Sequence, residues 1–394
     1  MLANSIKRVL TIDILRALTM FLMVFVNDIW SLTNIPKWLG HTLAEEDGMG
    51  FSDIIFPLFL FIVGLSIPLA IGVRREKGDK NITIIRHVVS RTIALLIMGI
   101  YMVNLGKINS SELLISKYLW QFLMALGIFL IWLNYRIVPK ISKRTIQILQ
   151  TSGVVILVFL AAIYKGGTAE HPLWMQVHWW GILGLIGWAY FFNALYYLYA
   201  GKKLLPLFIA FLILNLLNLQ EFNYFEGLPS FKLVISASNH VLVLSGVLCT
   251  SLYLKYKRMD AEKTFLGIVF VLALILILYG FWIRPTIGIS KILASPSWTT
   301  ICIGISFLSY VLVFILVEFY GFTKWSNPIK PAGTSTLTCY LMPYFIYPLI
   351  AASGLSLPFF LTNGAIGILK SLTFAFIIVS LTGGLERLHL KLKI

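Results

Sequence analysis

What most constrains this chain is a recurrence of apolar runs, roughly 17 to 25 residues long, from one end to the other. Wound as a helix, such a run rises about 1.5 Å per residue and crosses about 30 Å of hydrocarbon. With 59% of its residues hydrophobic and 12% charged, the chain lacks the polar surface of a soluble domain, where about 25% of residues are charged. The alternating segments of about ten residues that mark a membrane β-barrel are absent from the sequence. The expected fold class is all-α, a single polytopic transmembrane helical bundle over residues 1–394 with no large soluble domain.

Twelve segments fit this reading: 10–32, 53–73, 86–104, 113–134, 146–165, 178–199, 204–219, 233–254, 264–283, 299–320, 333–350 and 365–386. The seventh is short. The eleventh carries Pro343 and Pro348, so a kink or a re-entrant path is expected there. The first follows Lys7 and Arg8, but its length and the lack of a small-x-small cleavage site favour a retained helix over a removed signal. Cys249, Cys302 and Cys339 all fall inside apolar runs, which argues for helix contacts and against a disulfide framework or a metal site.

Charge alternates between successive loops. One side collects 24 of the 32 basic residues, including the 74–91 group, the 136–144 group and the 255–263 group. The other side keeps eight: Lys37, Lys107, Lys117, Lys165, Lys232, Arg284, Lys291 and Lys370. By the positive-inside rule both termini are expected in the cytoplasm, and the chain in a bacterial inner membrane. The formal charge of +16 is then a topology signal. A nucleic-acid footprint would need a soluble basic domain, and no nucleic-acid partner is expected.

Against this apolar background, ionisable groups are costly and therefore informative. Asp13 and Arg16 are three apart on the first helix, which suits either an anchoring ion pair or an inward Arg16 that holds an anionic headgroup. Asn27 and Asp28 mark the outer end of that helix. The next loop holds Trp38 and His41 and closes on Gly48, Gly50 and Asp53. The two glycines permit a tight reversal. Asp53 suits either the N-cap of the second helix or a carboxylate that orients His41. At the same outer depth lie His178 and Trp180, and Asn239 and His240 open the eighth segment. On the inner side, Lys330 precedes the densest hydroxyl run, with Gly333, Thr334 and Ser335, where backbone amides and hydroxyls suit phosphate. That glycine spacing matches neither nucleotide fingerprint.

The order of these pieces carries a resemblance. Leu10, Asp13 and Arg16 within 8–17, Met23 to Asn27, Asp53-Ile54-Ile55-Phe56-Pro57 through Gly64, the 184–190 stretch and the 333–340 stretch agree in order and approximate spacing with one family. The chain resembles the membrane acetyltransferases that include lysosomal heparan-α-glucosaminide N-acetyltransferase, in particular their bacterial branch. The resemblance implies acetyl transfer from cytoplasmic acetyl-CoA to an amino sugar or glycan on the far side; no metal is expected. It makes His41 the catalytic histidine, Asn27 the family's asparagine and Asp53 the aspartate before Phe-Pro. The stretch between His41 and Gly48 is longer here and lacks the family's tryptophan, so the acceptor's identity does not carry over.

On this reading the catalytic set is His41, Asn27 and Asp53. Arg16, Asp13, Lys330, Gly333, Thr334 and Ser335 would face the donor. Asp28, Trp38, His178, Trp180, Asn239 and His240 would face the acceptor. His41 would act as general base or carry the acetyl transiently, and Asn27 would donate to the thioester oxygen. Membrane lipid is the expected surrounding, and a homodimer is left open. The rival expectation is a transporter or flippase for a sugar or lipid-linked glycan, which would use broken helices around the same polar groups.

Overall fold

The computed structural model describes residues 9–168, 170–231 and 233–394, so Lys7, Arg8 and Lys232 of the charge pattern lie outside the described residues. Thirteen α-helices are described. In chain order they are α1 (Leu10–Asp28), α2 (Ser52–Glu76), α3 (Asn81–Leu105), α4 (Lys117–Trp132), α5 (Lys143–Ala162), α6 (Ile182–Ala200) and α7 (Leu204–Gln220). They continue as α8 (Ala237–Lys257), α9 (Glu262–Ile287), α10 (Pro296–Phe314), α11 (Lys330–Thr334), α12 (Thr336–Ala352) and α13 (Gly364–Arg387). The architecture is all-α, relieved by one two-stranded hairpin, Gly166–Gly167 with Pro172–Leu173, that the sequence reading did not anticipate.

Among the described residues, nine helices are long and apolar enough to cross a membrane, or ten if one bent pair counts as a span. The remaining apolar helices, α4 and α7, have 16 and 17 residues. They rise only about 24 to 26 Å, short of the hydrocarbon thickness. The shortness of the seventh segment was legible. That of the fourth was not, because Ser116 caps α4 at the amide of Leu119 and removes residues 113–116 from the helix. In the eleventh segment the break falls at Ser335, where the stretch Lys324–Thr334, which ends in α11, meets α12 at 76°, and not at its prolines. α12 runs through both Pro343 and Pro348.

Two compact units emerge, and the division falls inside α1, α3 and α6. The first takes Met1–Thr19, Ile35–Ile93 and Leu185–Trp325. Its core is built on α8, whose residues 237–247 are buried without interruption. Glycines let α2 and α8 touch backbone to backbone. A Cβ on Gly64 would run into the Val243 carbonyl, and one on Gly246 into the Phe61 carbonyl. Phe61, Phe307, Tyr310, Phe314, Phe265 and Tyr253 then pack edge to face below this crossing.

The second unit takes Met20–Asn34, Ala94–Gly184 and Ser326–Ile394. Here α4 and α5 cross at Gly127 and Gly153, each facing the other's carbonyl. Its short backbone bridges join Thr33 to Asn363, Ile108 to Gly166 and Leu133 to Leu392. Each bridge links two loops that the charge alternation assigns to the same side.

Candidate active site

The first unit brings His41 onto Asp53 through a loop that folds back on itself. Gly50 lies against the carbonyl of Gly40, a position a side chain would fill. The Phe51 amide donates to the Trp38 carbonyl at 2.6 Å, and the Ser52 amide and hydroxyl both donate to the Leu39 carbonyl. Residues 38–40 are thereby clamped on the start of α2. His41, the next residue, is carried over the first helical turn.

There His41 Nδ1 lies 2.7 Å from Asp53 Oδ1. The other carboxylate oxygen accepts the amides of Gly50 at 3.0 Å and Thr42 at 3.1 Å. Asp53 is fully buried, whereas the His41 side chain is 41% exposed. Asp53 is thus not the N-cap of α2, which begins at Ser52. It sits in the first turn, where the helix dipole also favours an anion. The indole N–H of Trp298 on α10 donates to its backbone carbonyl at 3.3 Å. With Nδ1 on Asp53, the proton is directed to that nitrogen, and Nε2 presents its lone pair. Among the described residues no hydrogen bond engages Nε2.

Sequence reasoning missed one member of this cluster. Lys291, from the 288–295 loop, places Nζ 3.0 Å from His41 Nδ1 and 3.4 Å from Asp53 Oδ1. Burial pushes this amine below the usual lysine range, against the pull of Asp53. Its loop is latched to the His41 loop by Asp47, which accepts from Arg284 Nε at 2.9 Å and from the Ile289 amide at 2.7 Å. Burial would raise the Asp47 carboxyl, but the Ile289 amide and the Arg284 guanidinium outweigh it and hold it below the usual carboxylate range. The Gly48 amide returns to the Ile289 carbonyl, and the Ser290 hydroxyl reaches the Ala44 carbonyl. The one available signal was that Lys291 is among the few basic residues on the sparsely charged side.

The other predicted residues spread more widely. Trp38 contributes its carbonyl to the clamp, and its ring is exposed. Arg16 bonds Asp13 at 3.2 Å and the Ser66 hydroxyl at 2.8 Å, so the expected ion pair is present and extends to α2. Asn239 and His240 are buried in the first turn of α8, His240 edge-on to Phe192 and with Nε2 lacking a protein partner. They take no part in the His41 hydrogen bonds.

Asn27 and Asp28 fall in the second unit. Asn27 is exposed. Asp28 is buried and saturated, with Oδ1 on the Tyr347 hydroxyl at 2.8 Å and Oδ2 on Lys370 Nζ at 2.7 Å and the Ser371 hydroxyl at 2.6 Å. The same unit joins His178 Nε2 to Lys107 Nζ at 2.9 Å, with that ammonium 5.9 Å from the centre of the exposed Trp180 ring. Lys330 is exposed and Gly333 buried. The Thr334 hydroxyl donates to Glu386 at 2.7 Å, and the Ser335 hydroxyl is buried at the bend without a protein partner.

Comparison with known proteins bears on the first quarter of the chain. Residues 8–112 match the family model described as heparan-alpha-glucosaminide N-acetyltransferase, catalytic. The protein of that name from Mus musculus is 31% identical over 105 residues, which is 26% of this chain and 15% of the relative. The Homo sapiens protein of the same name is 31% identical over 97 residues, 25% of this chain and 14% of the relative. The matched region thus spans about a seventh of the curated relatives. It includes Asn27, His41 and Asp53 but not Lys291, and over this region the chain is homologous to that acetyltransferase family.

Proposed function

We propose that this chain is a transmembrane acetyltransferase that moves acetyl from acetyl-CoA to an amino group, or a hydroxyl, of a sugar or glycan. The donor would enter from the side of the basic loops, taken as the cytoplasm of a bacterium with both termini on that side, and the acceptor from the opposite face. One observation carries the reading: a His41–Asp53 pair with an open Nε2 stands inside the segment homologous to a catalytic acetyltransferase family.

His41 Nε2 takes the acceptor's proton while the acceptor nitrogen or oxygen bonds the acetyl carbonyl carbon. The carbon–sulfur bond then breaks, and the departing thiolate recovers the proton from Nε2. The alternative course, with the acetyl held transiently on Nε2, uses the same atoms. For the donor's phosphates, the exposed Lys330 and the unpartnered Ser335 hydroxyl at the head of α12 are the fitting groups. Thr334 is committed to Glu386 and contributes less.

The test is thioester consumption by the purified full-length protein with acetyl-CoA and a panel of amino sugars. Turnover should fall at least about 100-fold in His41→Ala, the usual scale for loss of a general base. Equal turnover in wild type and His41→Ala would remove His41 from the chemistry. The 76° break at Ser335 favours a second reading, a transporter or flippase for a sugar or lipid-linked glycan. Donor-independent sugar uptake into proteoliposomes, with no thioester consumed, would select it.

A further inference from the structure

The atom that fixes the His41 tautomer has two suitors. His41 Nδ1 lies 2.7 Å from Asp53 Oδ1 and 3.0 Å from Lys291 Nζ, and those two groups are themselves 3.4 Å apart. A single ring nitrogen cannot serve both at once. Protonated, Nδ1 donates to Asp53 and has nothing to accept from an ammonium. Bare, it accepts from Lys291, and the proton resides on Nε2, where it blocks base action. Asp53 cannot turn aside, because the amides of Gly50 and Thr42 pin its second oxygen. Lys291 cannot easily withdraw either, because Asp47, Arg284 and the Ile289 amide latch its loop in place.

We propose that Lys291 is a positioning residue for the His41 base. Bonded to Asp53 Oδ1, it leaves the Nδ1–H of His41 on the same oxygen and Nε2 unprotonated. The inference rests on the acetyltransferase reading for its link to turnover. The charges explain why a lysine suits this place. Asp53 alone would stabilise an imidazolium strongly and hold the acceptor's proton on the ring. The ammonium offsets much of that field, so the ring can give its proton up again after transfer.

The remaining groups around His41 leave this balance intact. Glu45 and Glu46 on its own loop are both exposed, with the Leu43 amide on Glu46. Arg284 of α9 is spent on Asp47. From α10 the buried Cys302 thiol is near enough to Asp53 and Lys291 for their charges to act on it. Throughout the cycle Lys291 neither gains nor loses a proton.

The experiment compares full-length wild type, Lys291→Met and Lys291→Arg by the pH profile of kcat/KM for thioester consumption. In parallel, the His41 ring is titrated by NMR with labelled histidine, its signal being the one absent from His41→Gln. Two charges about 3 Å apart couple by at least about one pH unit, the value that bulk water would leave. In Lys291→Met the ring titration and the acid limb of the profile should therefore both move up by about that much, and Lys291→Arg should restore them. Superimposable titrations in wild type and a normally melting Lys291→Met would overturn the proposal. So would a uniform loss of turnover with an unmoved pH profile, which marks Lys291 as a loop support only. If the ring titration moves but the wild type consumes no thioester, the coupling stands and the acetyltransferase reading falls.

Discussion

Each unit of this protein buries a carboxylate against a lysine, and the two clusters end in opposite conditions. Around Asp28 every partner is a donor that is consumed: Tyr347, Lys370 and Ser371 take both oxygens, and nothing reactive is left over. Around Asp53 the partners are two amides, an ammonium and one amphoteric ring, and that ring keeps a second nitrogen open. The difference separates a carboxylate that only holds from one that orients a ring with a free nitrogen. A charge that is merely tied off braces helices. A charge that orients a group with an unspent lone pair can do chemistry.

The comparison breaks most easily at Lys370. Lys370→Met leaves Asp28 charged and buried without its counter-ion, a loss of about 3–5 kcal/mol. The melting temperature in detergent should fall sharply, while the surviving folded fraction turns over at a rate near that of wild type. A stable Lys370→Met protein with abolished turnover would show that the braced cluster is reactive after all. Next in size is Gly50→Ala. Its Cβ would meet the Gly40 carbonyl and pry residues 38–40 off α2. Turnover should drop at least about tenfold through misplacement of His41, with a smaller loss of stability than in Lys370→Met.

The smallest effect belongs to the latch. Asp47 has its folded carboxyl held below the ordinary value, so it adds stability that is fully present above the unfolded carboxylate range. That stability is lost as pH falls through the lowered folded value. Because Asp47 and Arg284 are 51% and 40% exposed, the contribution is under about 1 kcal/mol. Asp47→Asn should flatten the acid side of a melting-temperature titration by that amount and no more.

Much of this was legible in the sequence, for identifiable reasons. Apolar run length and loop charge are summed over many residues, so the helical membrane class and the pairing of loops by side survive local errors. The contact of His41 with Asp53 was legible as an alternative because it is local, and Gly48 and Gly50 signalled the reversal that produces it. Lys291 was not, since it meets His41 across 250 positions of chain, and no local pattern encodes that approach. For the same reason the pairing of Asp28 was not legible, its lysine being 342 positions away. Pro343 and Pro348 misled in the other direction. Inside α12 their missing amides cost little enough for the helix to continue, and the break fell on Ser335 instead.

The bond from Trp298 to the Asp53 carbonyl spans 245 residues, which sets an order of events during synthesis. At about 5–20 residues per second, the ribosome delivers α10 roughly 12 to 50 s after Asp53. Throughout that interval the His41 loop lacks its lysine, its latch and its indole. The His41–Asp53 cluster therefore gains its lysine and its indole late, once α9 and α10 have been made.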